Sequence, residues 1–75
     1  MKSTIGQTVK ARRLELGITQ QTLALLADVG INTIVAIERG SQSASLKTLN
    51  KVLDCLGLEL KASIKEKNNS LSGDQ

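Results

Sequence analysis

Short segments with apolar residues at helical spacing, each ended by a glycine or a turn, limit what this chain can fold into. The chain contains no proline, so glycine supplies most of the stop signals. Gly17, Gly40 and Gly57 each follow one such segment. The pattern predicts a helix before Gly17, a second at about 19–27, a third at about 31–39 and a fourth after Ser45, with Thr19 and Ser45 as caps. We therefore expect a mainly α fold of four to five helices.

The pattern changes from helical to alternating at residue 58. In the segment LELKASI, apolar and polar residues alternate, which predicts a half-buried strand over residues 58–64. A single strand leaves its backbone N–H and C=O groups unpaired, and no other segment alternates in this way. We therefore expect the strand to pair with its copy across a homodimer through four apolar side chains: Leu58, Leu60, Ala62 and Ile64. Residues 66–75 are predicted to be a disordered tail, which leaves one domain at residues 1–65.

Small size and missing residue types exclude several kinds of protein. At 75 residues the chain is close to the lower limit for independent folding, and a second copy is one source of extra stability. Cys55 is the only cysteine and histidine is absent, so we expect no internal disulfide, no metal site and no cofactor. One unpaired thiol and no signal peptide fit a reducing cytoplasm. No apolar run approaches the roughly 20 residues that span a bilayer.

Positive charge is concentrated in the first two thirds of the chain. Residues 1–51 contain seven Lys and Arg against three Asp and Glu, whereas residues 52–75 contain three against four. This distribution favours a polyanionic partner, and a solvated basic surface is the alternative explanation. Phe, Tyr and Trp are absent, so the chain lacks the usual side chains for stacking on single-stranded bases. A groove of duplex DNA is the better prediction if the partner is a nucleic acid.

Two charged residues lie on helix faces that are otherwise apolar. The apolar positions expected to face the core are Ile5, Val9, Leu16, Leu23, Ala24, Leu26, Ala27, Ile34, Ile37, Leu46, Leu49, Val52, Leu53 and Leu56. Arg13 is in register with Val9, and Glu38 follows Ile34 by one helical turn. A charge that is buried alone is costly, so the simplest solution is that Arg13 and Glu38 pair. The alternative is that both lie at the rim of the core and reach water.

Residues 18–41, ITQQTLALLADVGINTIVAIERGS, together with VKARRLELG before them and SLKTLNKVLDCLGLEL after them, resemble the lambda repressor/Cro-type helix-turn-helix family. The resemblance covers about residues 5–64, and the alternating strand narrows it to the HipB-like antitoxin branch. It implies that the second helix lies across the DNA backbone while the third helix enters the major groove. It also implies that Arg13 and Glu38 form the buried ion pair of the family.

The resemblance assigns DNA contacts to residues of the second and third helices. Gln20 matches a residue that contacts phosphate and braces a base-reading side chain. The other matching positions are Ile31, Asn32 and Ala36 for bases, Thr33 beside them, and Arg39 and Ser41 for phosphates at the groove edge. Asp28 stands where the family usually has Gly, and Gly30 replaces the usual Ser or Thr cap.

The expected reading face is unusually apolar. Asn32 is the only base-reading side chain that can form a bidentate contact, and its natural partner is adenine. The apolar residues that could pack on thymine methyl groups are Ile31, Thr33, Val35 and Ala36. The alternative for Ile31 and Val35 is packing within the protein or a contact with another protein. Leu25 replaces a residue that is usually charged in the family, and is either an exposed contact point or simply tolerated.

Three functions are compatible with these observations to different degrees. The leading interpretation is a sequence-specific transcriptional repressor that binds a palindromic DNA operator as a homodimer. The alternative is an antitoxin that binds and neutralises a HipA-like kinase toxin and represses its own operon. An enzyme has little support, because the sequence has no histidine, no Gly-rich phosphate loop and no paired carboxylates in an evident cleft.

Overall fold

The computed structural model describes residues 4–62 of the chain. In this part the chain forms four α-helices, namely α1 (Ile5–Glu15), α2 (Gln20–Ala27), α3 (Ile31–Arg39) and α4 (Leu46–Cys55). Helix α1 packs on α3, and α2 packs on both α3 and α4. The expected mainly helical fold is confirmed for the described residues, with the lower of the two expected numbers of helices.

Polar side chains cap the start of three helices. The Thr4 hydroxyl accepts from the Gln7 backbone N–H, and the Gln7 side-chain oxygen accepts from the Thr4 backbone N–H, which forms a reciprocal capping box on α1. Thr19 and Ser45 each accept from the backbone N–H three residues later, at the start of α2 and α4. Gly30 precedes α3 and has no side chain with which to cap it.

Residues with left-handed backbone conformation follow each helix. Gly17, Gly40 and Gly57 have φ angles of 72°, 95° and 71°. Asp28, which ends α2, has φ 57° and ψ 49° and is the only non-glycine with positive φ among the described residues. Asp tolerates this conformation better than most L-residues but still at some cost. The stop signals expected from the sequence therefore lie at the observed helix ends.

The hydrophobic core draws on all four helices. Its members are Val9, Leu23, Ala24, Ala27, Ile34, Ile37, Val52, Leu53 and Leu56. Four positions predicted to face the core are exposed instead: Ile5, Leu16, Leu26 and Leu46 are 47%, 44%, 60% and 66% exposed. The prediction for these four is wrong because helical spacing selects a face, whereas the neighbouring helices cover only part of it.

Gly6 allows α1 to approach the end of α3 closely. Gly6 is buried, and a Cβ atom at this position would overlap the carbonyl oxygen of Ile37 and lie 3.0 Å from that of Glu38. A larger side chain would therefore push α1 away from α3. The sequence pattern does not reveal this contact, because a glycine within a helix simply lowers the helix propensity.

Residues 58–62 follow α4 without regular secondary structure. Leu58 is partly buried against the core, and Leu60 is 40% exposed. Both belong to an open groove of about 160 Å³ that is lined by Ile5, Thr8, Leu53, Leu58, Glu59 and Leu60. No strand with which this segment could pair is present among the described residues, so strand pairing and the homodimer stay predictions. Ile64 and the predicted tail at 66–75 lie outside the described residues.

Candidate functional site

The turn between α2 and α3 sets the relative direction of these two helices. Asp28, Val29 and Gly30 separate them, and the helices are bent by 114° at this break. The Val29 backbone N–H donates to the Ala24 carbonyl at 3.0 Å, and the Val29 side chain packs against the core. Lys51 Nζ of α4 donates to the Asp28 carbonyl at 3.4 Å. The turn is therefore anchored to both α2 and α4.

Helix α3 has a buried face and an exposed face. Ile34 and Ile37 are 0% and 4% exposed and belong to the core. Ile31 is 41% exposed, and Asn32 and Arg39 are also exposed. The half-buried residues of α3 that belong to the predicted reading set are Thr33, Val35 and Ala36. Asn32, the predicted bidentate side chain, is thus accessible to a partner molecule.

Three of the predicted contact residues meet in one open concavity between α3 and the start of α4. Its volume is about 350 Å³, and it is lined by Asn32, Thr33, Ala36, Ser43, Ala44, Ser45 and Thr48. The hydroxyl-bearing residues Ser43, Ser45 and Thr48 are not among the sequence-predicted contacts. The available signal was the polar run SQSAS at residues 41–45, but a polar loop does not indicate which helix it faces.

Ser41 lies at the end of α3, outside this concavity. Its backbone N–H donates to the Ala36 carbonyl at 2.9 Å, and the Gly40 N–H donates to the Ile37 carbonyl at 3.0 Å, which closes the last turn of α3. The hydroxyl oxygens of Ser41 and Ser43 are 3.0 Å apart. Ser41 is therefore connected through Ser43 to the concavity that contains the predicted base-reading residues.

Arg13 and Glu38 form a buried ion pair between α1 and α3. Arg13 Nε donates to Glu38 Oε2 at 2.7 Å, and Arg13 Nη2 donates to Glu38 Oε1 at 3.0 Å. The two side chains are only 9% and 4% exposed. Arg13 Nη1 also donates to the Ile18 carbonyl at 2.9 Å. Each charge placed on an inward face by helical spacing is thus compensated by the other.

Burial and hydrogen bonding have opposite effects on the pKa of Glu38. Burial raises the pKa of this carboxyl group, but hydrogen bonds from Arg13 and Gln20, together with the positive charges of Arg13 and Lys10, outweigh burial, and the pKa is lowered. Since the pKa in the unfolded chain is about 4.3, the ionised carboxylate stabilises the fold above that pH. This contribution is lost as the pH falls through the lowered pKa of the folded state. The hydrogen bond with Glu38 in turn raises the pKa of Arg13.

Gln20, the first residue of α2, contacts the same carboxylate. Its Nε2 donates to Glu38 Oε1 at 3.1 Å, and the residue is half-buried. The resemblance predicts a phosphate contact for Gln20, and the bond to Glu38 is an additional feature that sequence reasoning does not reveal.

Exposed cations are present on three helices. They are Lys10 on α1, Arg39 on α3, and Lys47 and Lys51 on α4. Arg12 differs from them because it is half-buried and engaged within the fold. Its Nε donates to the Leu56 carbonyl at 2.9 Å, and its Nη1 lies 3.0 Å from Glu15 Oε1. Arg12 therefore closes the end of α4 and is less available to a polyanion than the exposed cations.

Residues 4–62 contain neither a cluster of possible metal ligands nor a single helix of membrane-spanning length. No three His, Cys, Asp or Glu in this range come together as a possible metal-binding group. The free thiol of Cys55 is half-buried beside the core. No single helix in the range is long and apolar enough to cross a membrane, and α2 and α3 reach the required length only together, across their bend of 114°.

Comparison with known proteins gives a family and two relatives. Residues 9–62 match the family model described as helix-turn-helix. An immunity repressor protein of Bacillus phage phi105 is 38% identical over 63 residues, which are 84% of this chain and 44% of that protein. An uncharacterized HTH-type transcriptional regulator of Methanothermobacter thermautotrophicus is 39% identical over 51 residues, which are 68% of this chain and 74% of the regulator. The matched region therefore spans less than half of the phage protein's length.

Proposed function

The chain belongs to the helix-turn-helix family of DNA-binding transcriptional regulators, and we propose that it represses transcription by binding a specific site in duplex DNA as a homodimer. The observation that supports this most directly is the exposed face of α3, where Asn32 and Arg39 are accessible and Asn32 lines a concavity together with hydroxyl-bearing side chains. An α-helix of this kind fits the major groove of B-DNA. The name of the phage relative, an immunity repressor, supports repression as the regulatory outcome.

The chemistry of α3 favours recognition of A·T base pairs. The side-chain amide of Asn32 matches the N6 and N7 positions of adenine, to which it can bond bidentately. The side chains that offer methyl groups to the 5-methyl of thymine are those of Ile31, Thr33, Val35 and Ala36. Because Ile31 is 41% exposed although apolar, a thymine methyl is a suitable partner for it. We therefore propose an operator half-site that is rich in A·T pairs.

Contacts to the DNA backbone position α3 and carry no direct sequence information. In this proposal Arg39 and Ser41 bind phosphates at the groove edge, and Gln20 binds a phosphate from the start of α2. The hydroxyls of Ser43 and Thr48 are further candidates, because both residues line the concavity beside Asn32. Phosphate contacts made by cations such as Arg39 release counterions, so the affinity for DNA should fall steeply as the salt concentration rises.

A homodimer would present two copies of α3 to successive major-groove segments, with half-sites about 10 base pairs apart. We propose that the segment from Leu58 to Ile64 holds the two copies together through an antiparallel ribbon. Leu60 supports this, because it is apolar and 40% exposed in the single chain. The names of the relatives refer to repression and regulation. Since no observation favours a kinase toxin as partner, repression is proposed ahead of the antitoxin role.

Selection of duplexes from a random library by the full chain tests this proposal. We expect enrichment of an A·T-rich palindrome. Deoxyuridine in place of thymine then removes only the methyl groups, and each contacted methyl should contribute about 0.8 kcal/mol to binding. A library that returns no motif contradicts sequence-specific binding. Unchanged affinity at every deoxyuridine position contradicts the methyl contacts alone.

Two variants of α3 separate base reading from backbone binding. Asn32→Ala should relax the base preference at one position, by roughly 1–3 kcal/mol per half-site. Arg39→Ala should weaken binding to all sequences alike and reduce the salt dependence by about one counterion per half-site. Affinities of both variants for the selected site and for a scrambled duplex distinguish the two effects. A loss that is equal on both duplexes for Asn32→Ala would contradict its assignment to a base.

A further inference from the structure

Gln20 is tied to the buried ion pair by a hydrogen bond between α2 and α3. Its Nε2 lies 3.1 Å from Glu38 Oε1. An ionised carboxylate only accepts hydrogen bonds, so the amide group that faces it must be an N–H. Glu38 is itself held by two hydrogen bonds from Arg13, at 2.7 and 3.0 Å. The carboxylate therefore determines which end of the Gln20 amide points inward and which points outward.

Part of the Gln20 amide is left without a partner among the described residues. A glutamine amide has two N–H donors and one oxygen acceptor, and the bond to Glu38 uses one donor. The second N–H and Oε1 form no hydrogen bond within residues 4–62, at a half-buried position that opens α2.

We propose that Glu38 is a positioning residue for DNA binding, because it holds one N–H of Gln20 and thereby directs the other N–H and Oε1 toward the DNA. The proposal rests on the proposed function and adds a link between the buried ion pair and a DNA contact. A side chain that is already held in one orientation loses less conformational freedom on binding. Gln20 should therefore contribute more to DNA affinity when Glu38 is present than when it is absent.

NMR of the side-chain amides in the DNA-free full chain tests the anchor. Gln21 is an internal reference, since it is adjacent to Gln20, exposed, and without a side-chain hydrogen bond to the described residues. One amide proton of Gln20 should be shifted downfield and exchange with water more slowly than either proton of Gln21. Equal behaviour of the two side chains would overturn the proposal.

A double-mutant cycle tests the link to DNA. Gln20→Ala is measured in the parent chain and in the Arg13→Met/Glu38→Leu variant, where the carboxylate is absent but no buried charge is left unpaired. Loss of a hydrogen bond of this kind should weaken DNA binding by about tenfold in the parent. In the double variant Gln20→Ala should have almost no further effect. Asn32→Ala is the control. It should weaken DNA binding equally in both chains, because Asn32 lies at the start of α3 whereas Glu38 lies near its end.

The outcomes separate this proposal from the proposed function. An equal loss from Gln20→Ala in both chains overturns the positioning role and leaves DNA binding intact. A parent chain that selects no DNA sequence contradicts the proposed function, and the NMR comparison still decides the anchor. If the double variant does not fold, Gln20→Glu and Gln21→Glu form a matched pair that adds the same charge. Gln20→Glu should then cause a several-fold greater loss of affinity, and equal losses overturn the proposal.

Discussion

Glu38 of α3 accepts hydrogen bonds from Arg13 of α1 and Gln20 of α2, so a single carboxylate connects three helices. Its side chain is 4% exposed, which makes the loss of either partner costly. Gly6 contributes at the same junction through the absence of a side chain, which allows α1 to pack closely against the C-terminal end of α3. Both residues control how closely α1 packs.

Removing one member of the Arg13–Glu38 pair should lower the free energy of unfolding by on the order of 3 kcal/mol, because it leaves a buried charge without compensation. Arg13→Met combined with Glu38→Leu should cost less than Arg13→Ala or Glu38→Ala alone. Chemical denaturation measures all three variants, with Lys47→Ala, at an exposed position of α4, as control. Single variants that unfold like the parent would show that the pair contributes nothing to stability.

Gly6→Ala should lower the free energy of unfolding by about 1–3 kcal/mol, because the added methyl would overlap the Ile37 carbonyl oxygen. Where a helix has room, the same substitution stabilises it by about 1 kcal/mol. The melting temperature of the variant should therefore lie below that of the parent if Gly6 is crowded, and above it if there is room for a methyl group. A stabilised variant would contradict the close approach of α1 to α3.

Among the secondary-structure elements, the turn between α2 and α3 contains two residues that are locally unfavourable at their positions. Helices of eight and nine residues are only marginally stable in isolation, so α2 and α3 need stabilisation from packing in the core and from the residues at their ends. Asp28 ends α2 in a left-handed conformation, and Gly30 precedes α3 without a side-chain cap. The Lys51 contact to the Asp28 carbonyl and the burial of Val29 help to hold the turn in this geometry.

Asp28→Gly should stabilise the chain by up to about 1 kcal/mol, because glycine adopts a positive φ without the steric cost of a Cβ atom. The Lys51 contact is made to the backbone carbonyl and should persist. Asp28→Ala is the matched control and should be destabilising. Melting temperatures of the three chains decide the order, and Asp28→Gly below the parent would show that the Asp side chain itself stabilises the turn.

At the scale of the whole molecule, apolar surface remains near the junction of α1 and the segment after α4. Ile5 is 47% exposed and Leu60 is 40% exposed, and both line one groove together with Leu58. In a chain this small, a second copy that covers such surface would add to a limited core. The proposed ribbon from Leu58 to Ile64 would place an apolar face there.

Leu60→Glu should convert the proposed dimer into a monomer, because a carboxylate would be buried in the ribbon interface. Lys61→Glu adds a glutamate at the neighbouring position of the predicted strand, which faces water, and should leave the dimer intact. Sedimentation measures both variants. Deletion of residues 66–75 should also leave a dimer. Deletion from Leu58 onward would not separate dimerisation from folding, because Leu58 packs against the core. A dimeric Leu60→Glu variant would show that other surfaces hold the copies together.

The helices, their ends and the inward positions of two charges were predictable from the amino-acid sequence. These features are local, because a cap such as Thr19 or Ser45 acts within one helical turn and a stop such as Gly40 acts through its own backbone. Helical spacing likewise placed Arg13 and Glu38 on apolar faces. The DNA contacts came from resemblance to a family and, like the strand after α4, stay predictions.

Which helix faces are covered and which polar atoms meet could not be predicted from the sequence. Leu26 and Leu46 share helical spacing with core residues, yet they are exposed because no other helix within residues 4–62 packs over them. The contact of Gly6 with α3 and the bond between Gln20 and Glu38, which are 18 residues apart, have no local signal. The same holds for the concavity that brings the loop hydroxyls beside Asn32. Such features depend on how the helices pack, which periodicity within one helix does not specify.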